Sequence, residues 1–198
     1  MAKKFYAVKS GRKTGIFKTW AECQRQVTGF KGAAFKGFET LAEAEEYLSG
    51  GAVQDTNARP DAAVAYVDGS YNVRTKQFSY GMVLFYNGEE ITKNEAFSDA
   101  ELAAMRNVAG EIKGSTEAML YCVENGITKL DIYYDYAGIE KWCTGEWKTN
   151  KQGTIEYKQY YDFVKTKVDI RFIKVKGHSG NKYNDMADRL AKDAVGIE

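Results

Sequence analysis

The sequence is short of several things. It has one proline (Pro60), one histidine (His178) and three cysteines (Cys23, Cys122, Cys143) in 198 residues. Three widely spaced cysteines without a CxxC build neither a disulfide frame nor a zinc site, so they read as free thiols of a reducing compartment. No run approaches about 18 consecutive apolar residues, which excludes a membrane-spanning helix and a membrane partner. The N-terminus has no apolar stretch behind its first lysines, so a secretory leader is not expected and a cytoplasmic location is. There is no Walker loop, and no Ser/His/Asp order of the kind that serves nucleophilic catalysis.

Net charge is nearly missing too, at a formal +1, but that balance hides an asymmetry. Residues 1–37 hold nine lysines and arginines against one acid, Glu22, a net of +8, which leaves −7 for the remaining 161 residues. A basic end on an acidic body is a reason to look for nucleic acid at the basic end.

What is there begins with a β-prone run, Phe5-Tyr6-Ala7-Val8. A Gly11–Gly15 turn and a second strand at Ile16-Phe17 follow. Thr19 and Glu22 form a capping box, so a helix is expected to about Val27, stopped by Gly29. Ala34-Phe35-Lys36-Gly37-Phe38 reads as a third strand. Thr40 and Glu43 form a second capping box, opening a helix through about Leu48. This ββαβα order in under fifty residues allows only a small core. Tyr6, Trp20 and Phe35 sit among cations, the mixture in which aromatic faces stack on bases while lysines hold phosphates. The same residues also serve as a small aromatic core beneath solvated lysines, and composition alone leaves both readings open.

Residues 49–60, Ser-Gly-Gly-Ala-Val-Gln-Asp-Thr-Asn-Ala-Arg-Pro, have no periodicity. They read as a flexible linker spanning roughly 20 Å as a random coil. Beyond it, residues 62–67, 79–86 and 91–96 read as strands, with Asn87-Gly88 as a hairpin turn. Val108, Ile112, Met119 and Val123 recur at helical spacing. A fourth strand at 130–135, a Trp- and Tyr-rich helical stretch (139–142, then about 155–164), a last strand at 168–175 and a helix from about 183 to 195 complete the order βββαβαβα. That is an α/β layer fold.

Four acids stand out in this frame. Asp68 ends the first strand of the body, Glu111 is on its first helix, Asp135 ends the fourth strand and Asp188 is on the last helix. Strand ends of α/β sheets are where ligands bind. Four ionised carboxylates share one site only with cations between them. Mg²⁺ takes hard oxygen ligands of this kind, and two such ions suit in-line phosphodiester cleavage. Asp131, Asp185 and Asp193 are nearby acids that compete for the same assignment.

Two resemblances sharpen the reading. The pattern Phe5-Tyr6-Ala7-Val8, Gly11-Arg12-Lys13-Thr14-Gly15-Ile16-Phe17, Thr19-Trp20 and Phe35-Lys36-Gly37-Phe38 resembles the hybrid-binding domain at the front of many eukaryotic and some bacterial type 1 ribonucleases H. A plant-virus inclusion-body protein shares it. The resemblance covers residues 3–48 and implies that Tyr6, Trp20 and Phe35 face the DNA strand, with Lys36 beside a phosphate. Relatives often carry a second lysine where this chain has Gly37. Residues 62–195 resemble ribonuclease H type 1. The motifs are Tyr66-Val67-Asp68-Gly69-Ser70, Asn107-Val108-Ala109-Gly110-Glu111, Tyr134-Asp135-Tyr136, Lys176-Gly177-His178-Ser179-Gly180 and Asn184-Asp185-Met186-Ala187-Asp188.

This second resemblance implies an RNase H-like fold with a five-stranded mixed sheet. It implies endonucleolytic cleavage of the RNA strand of an RNA/DNA hybrid, leaving 5′-phosphate and 3′-hydroxyl ends. Asp68, Glu111, Asp135 and Asp188 carry over as ligands of two Mg²⁺ ions, with Mn²⁺ as an alternative. His178 matches a loop histidine that assists proton transfer or product departure. Asn107, Gly69 and Ser70 are expected to contact the hybrid. Asn184, where many bacterial relatives carry Glu, is expected to hold a water or a phosphate contact. Some relatives bear a basic helical protrusion after the Asp135 strand; the mildly basic stretch 142–151 predicts that it is absent or weak. The expected organisation is a hybrid-binding domain at 1–48, a linker at 49–60 and a catalytic domain at 61–198, with no obligatory protein partner. The competing functions are a non-catalytic binder of hybrids or double-stranded RNA, and a strand-transfer enzyme of the integrase type.

Overall fold

The computed structural model describes residues 5–49, 59–175 and 181–197. The chain divides into two units, Met1–Asn57 and Ala58–Glu198. In the first, β1 (Phe5–Ser10) pairs antiparallel with β2 (Gly15–Phe17) on one side and β3 (Ala34–Phe38) on the other. α1 (Trp20–Val27) follows β2 and α2 (Leu41–Ser49) follows β3, the order ββαβα read from the sequence. Thr19 with Glu22, and Thr40 with Glu43, exchange the hydrogen bonds of the two capping boxes. Alternation along β1 sends Val8 against Cys23 and Val27 of α1. Ala7 points to the other face, where Lys9 lies over the Tyr47 ring of α2. The core is small because each face of this short sheet buries only a few side chains.

The second unit is built on β4 (Ala63–Asn72), β5 (Gln77–Tyr86), β6 (Glu89–Phe97), β7 (Lys129–Tyr134) and β8 (Asp169–Lys174), in the spatial order β6-β5-β4-β7-β8. β4, β5 and β6 form an antiparallel meander, while β7 and β8 lie parallel to β4. The helices are α3 (Ala100–Ala103), α4 (Asn107–Glu124), α5 (Gly138–Thr144), α6 (Gln152–Val164) and α7 (Lys182–Ala194). The result is a five-stranded mixed α/β sheet. Its core joins Ala65 and Val67 of β4, Met82 and Leu84 of β5, and Leu130 and Ile132 of β7 with Met119 of α4 and Tyr157 of α6.

One local reading needs correction. Asp68 does not end its strand: β4 continues through Gly69 and Ser70 to Asn72, because β5 pairs with it along the whole length, from Val64↔Phe85 to Asn72↔Gln77. The turn comes after Asn72, whose side-chain oxygen accepts from the backbone N–H groups of Arg74 and Thr75. The Trp- and Tyr-rich stretch is helical in the two parts expected, α5 and α6, separated where Gly145 takes φ +83° and closes α5. Among the described residues, no helix is long and apolar enough to cross a membrane.

Candidate active site

β4 and β7 run parallel, with Ala65 opposite Ile132 and Tyr66 opposite Tyr133. Two residues further along each chain stand Asp68 and Asp135, so the register alone makes them neighbours just past the last paired residues. Two glycines bring in the helices. A Cβ at Gly69 would lie 2.0 Å from the Asn107 carbonyl oxygen and 2.6 Å from the Glu111 nitrogen, so only glycine lets the first turns of α4 press on β4 there. Gly81, opposite Asp68 in the ladder, does the same for α7, where a Cβ would lie 2.0 Å from the Ala187 carbonyl oxygen. Asp68, Glu111 and Asp135 thereby bring ligand oxygens within 4.8 Å of one another. Asp188, one turn along α7 from Asn184, stands outside that trio, yet its charge acts on Asp68.

Two of the acids are held away from solvent. Asp68 is 8 % exposed and Glu111 1 %. Burial first, and then the charge of Asp135, push the Asp68 carboxyl up to about 7; the Gly69 N–H opposes this and Asp188 adds to it. Burial, then Asp135 and Asp68, push Glu111 up to about 9, against one backbone hydrogen bond from Tyr136. Glu111 Oε2 and Asn184 Oδ1 are buried without a hydrogen-bond partner. Buried oxygens left unpaired are costly unless something absent from the protein alone satisfies them. Three carboxylates and a set of orphaned hard oxygens fit a divalent cation such as Mg²⁺.

Of the other residues singled out from sequence, Gly69 and Ser70 lie on β4 directly after Asp68, Ser70 buried. Asn107 is exposed at the first position of α4. Arg106 before it has φ +54° and ψ −131°, a conformation rare for a residue with a side chain and of the kind that gathers at functional sites. Asn184 is buried on α7. His178 lies outside the described residues. The competing acids separate cleanly. Asp131 is 1 % exposed and clamped by Arg59 and Arg171, each within 2.7 Å, so it is a structural anion. Asp185 is exposed, and Asp193 pairs with Arg189 at 3.9 Å.

Sequence reasoning missed a second surface. No helix stands between α5 and α6 among the described residues, as the weakly basic stretch predicted, and the Trp147 N–H folds the loop back onto the Lys141 carbonyl. Yet that loop lines a cleft of about 380 Å³ with Arg106, Asn107, Tyr136, Trp142, Lys148 and Lys151 on its walls. Trp142 and Trp147 meet edge to face at 6.1 Å, and Lys141 lies 5.7 Å from the Trp147 ring centre. The available signal was the mixture of aromatics and cations already noticed at the front of the chain.

In the first unit, Tyr6, Trp20 and Phe35 form one row, with ring centres 5.6 and 5.7 Å apart. Trp20 and Phe35 remain 45 % and 40 % exposed, too much for an aromatic core. Lys36 follows Phe35 on β3, an edge strand, and so projects from the opposite face, its ammonium 5.5 Å from the Phe38 ring centre.

Comparison with known proteins agrees with both halves. Residues 4–48 match the family described as the ribonuclease H1 N-terminal domain, and residues 60–196 match the family described as RNase H. Mouse ribonuclease H1 is 25 % identical over 96 % of this chain and 89 % of its own length. The solved RNase H1 of the archaeon Halobacterium salinarum superposes with a TM-score of 0.56 at 21 % identity, covering 68 % of this chain and 98 % of that one. A compost-derived RNase H1, LC11, solved in complex with an RNA/DNA hybrid, gives 0.53 at 13 % identity over 67 % of this chain and 99 % of that one.

Proposed function

The chain belongs to the ribonuclease H family of hydrolases, and from that premise we propose that it cuts the RNA strand of RNA/DNA hybrids at the Asp68–Glu111–Asp135–Asp188 centre, leaving 5′-phosphate and 3′-hydroxyl ends. The observation that carries the reading is the convergence of three acids from three elements within 4.8 Å, with a Glu111 oxygen left unpaired. When bound by these acids, two Mg²⁺ ions, or Mn²⁺ in their place, supply an activated water and neutralise the leaving oxygen.

The chain's own residues do the rest. Asp68 lies within β4 and Asp135 directly follows the last residue of β7, so the parallel register of the two strands sets them side by side. Glu111 is pressed beside them by the close contact at Gly69. Asn107, Gly69 and Ser70 border the acids and are suited to hydrogen bonds with the RNA sugar edge, where the 2′-hydroxyl distinguishes RNA from DNA. Asn184 offers an unpaired oxygen in the same neighbourhood. His178 supplies an imidazole for proton transfer or product departure. Arg106, Lys148 and Lys151 give the adjoining cleft the charge to take backbone phosphates, and Tyr136 and Trp142 give it apolar walls against sugars.

Hybrid binding is assigned to residues 1–48, the tether to 49–60 and cleavage to 61–198. The row Tyr6–Trp20–Phe35 provides stacking faces for the DNA strand and Lys36 a phosphate contact. Two modules on one tether bind a single duplex at raised effective concentration. Residues 50–58 of the tether lie outside the described residues. The test is incubation of the full chain with labelled RNA/DNA, RNA/RNA and DNA/DNA duplexes under Mg²⁺, Mn²⁺ or EDTA. Cleavage of the RNA in the hybrid, lost in EDTA, is expected. Tight hybrid binding without cleavage in either metal would leave only the non-catalytic binder.

A further inference from the structure

Asn184, Asp188 and Lys192 succeed one another at four-residue spacing on α7 and so share one face of the helix. Lys192 Nζ lies 2.7 Å from Asp188 Oδ2. Its charge also acts on Asp68, opposing the burial and the neighbouring acids there. A site packed with carboxylates therefore already contains a cation supplied by the fold.

The pair differs from an ordinary surface contact. Arg189 and Asp193, one residue further along the same helix, are 3.9 Å apart with 83 % and 60 % of their side chains exposed. Asp188 is only 19 % exposed, while Lys192 is 38 % exposed. The lysine has solvent to retreat into; the acid does not. An ammonium on Oδ2 occupies one of the two oxygens that Asp188 can offer to Mg²⁺, which binds carboxylate oxygen at about 2.0–2.1 Å. Two cations on one face of one oxygen repel each other.

We propose that Lys192 is the resident counter-ion of the metal-free site, displaced from Asp188 when a divalent cation binds. Lys192 thereby sets the metal concentration at which the site fills. The energy of the lysine pair is subtracted from that of the metal, so the two are linked and each weakens the other. This rests on reading the four acids as metal ligands.

The experiment is Mg²⁺ titration by calorimetry of the full, metal-stripped chain as wild type, Lys192→Met, Lys192→Gln, Lys192→Arg and Asp68→Asn. Asp68→Asn is expected to lose Mg²⁺ binding, which checks the underlying site. Lys192→Met and Lys192→Gln are expected to bind Mg²⁺ about tenfold more tightly, with Lys192→Arg near wild type. The half-saturating Mg²⁺ for hybrid cleavage is expected to fall in parallel. Unchanged or weaker Mg²⁺ affinity in both neutral variants, with Asp68→Asn still unable to bind, overturns the role of Lys192 and leaves the site standing. Equal Mg²⁺ binding by Asp68→Asn and wild type removes the site and this role together.

Discussion

At the scale of single residues, chemistry and stability pull against each other. Asp68 and Glu111 are carboxylates whose folded forms hold their protons up to about 7 and about 9. A raised carboxyl makes the folded state bind more protons than the unfolded one. Stability is therefore full below the ordinary carboxylate range and is lost as pH rises toward those values. In EDTA, the melting temperature is expected to fall between about pH 5 and pH 9. MgCl₂ is expected to restore it at the alkaline end, and Glu111→Gln to flatten the slope; calorimetric scans across pH measure all three. Asp68→Asn is expected to abolish cleavage while hybrid affinity, read by fluorescence anisotropy, stays within about twofold, because the phosphate contacts remain. Asp68, Glu111 and Asp135, which the fold gathers, were already candidates in the sequence, since residue type and order are written in the chain. What was not legible was that Asp68 sits inside a strand. Asp-Gly-Ser reads as a turn wherever no partner strand runs beside it, and the length of β5 is a tertiary fact.

At the scale of elements, the site depends on how near two helices come to the sheet. A methyl at Gly81 would meet the Ala187 carbonyl at 2.0 Å, a backbone atom that cannot rotate aside. Gly81→Ala is expected to cost about 1–3 kcal/mol by overpacking, and also to lower cleavage, because α7 carries Asp188 with it. Urea denaturation and turnover measured together separate this from a substitution that is merely unstable. At the other end of the strands, Arg59 binds Asp131, Asp169 and the Leu130 carbonyl, and so ties the start of β7 to the start of β8. Asp131→Ala leaves two guanidiniums facing each other and is expected to destabilise the fold by about 3 kcal/mol while sparing metal binding. The sequence showed the elements because capping boxes and alternation are local. It did not show which of its nineteen glycines face a helix backbone, nor that Arg106 and Lys148 line one cleft, since neither depends on neighbours in the chain.

At the scale of the whole molecule, the proposed function divides two tasks along the charge asymmetry found in the sequence. Trp20→Ala is expected to weaken binding to long hybrids by about tenfold, in keeping with about 1–3 kcal/mol for one stacked base. Turnover on short hybrids, which the second unit engages alone, is expected to stay near wild type. A collapse of short-hybrid turnover would make the first unit part of the cutting machinery. The chain has three tryptophans: Trp20 in the exposed aromatic row, Trp142 on the cleft wall and Trp147 packed edge to face against Trp142. The protein thus carries its own optical probe of where a duplex lands. Intrinsic emission from a Trp20→Phe variant reports the cleft alone, and the difference from wild type reports the first unit. Each docking event can then be timed without a label.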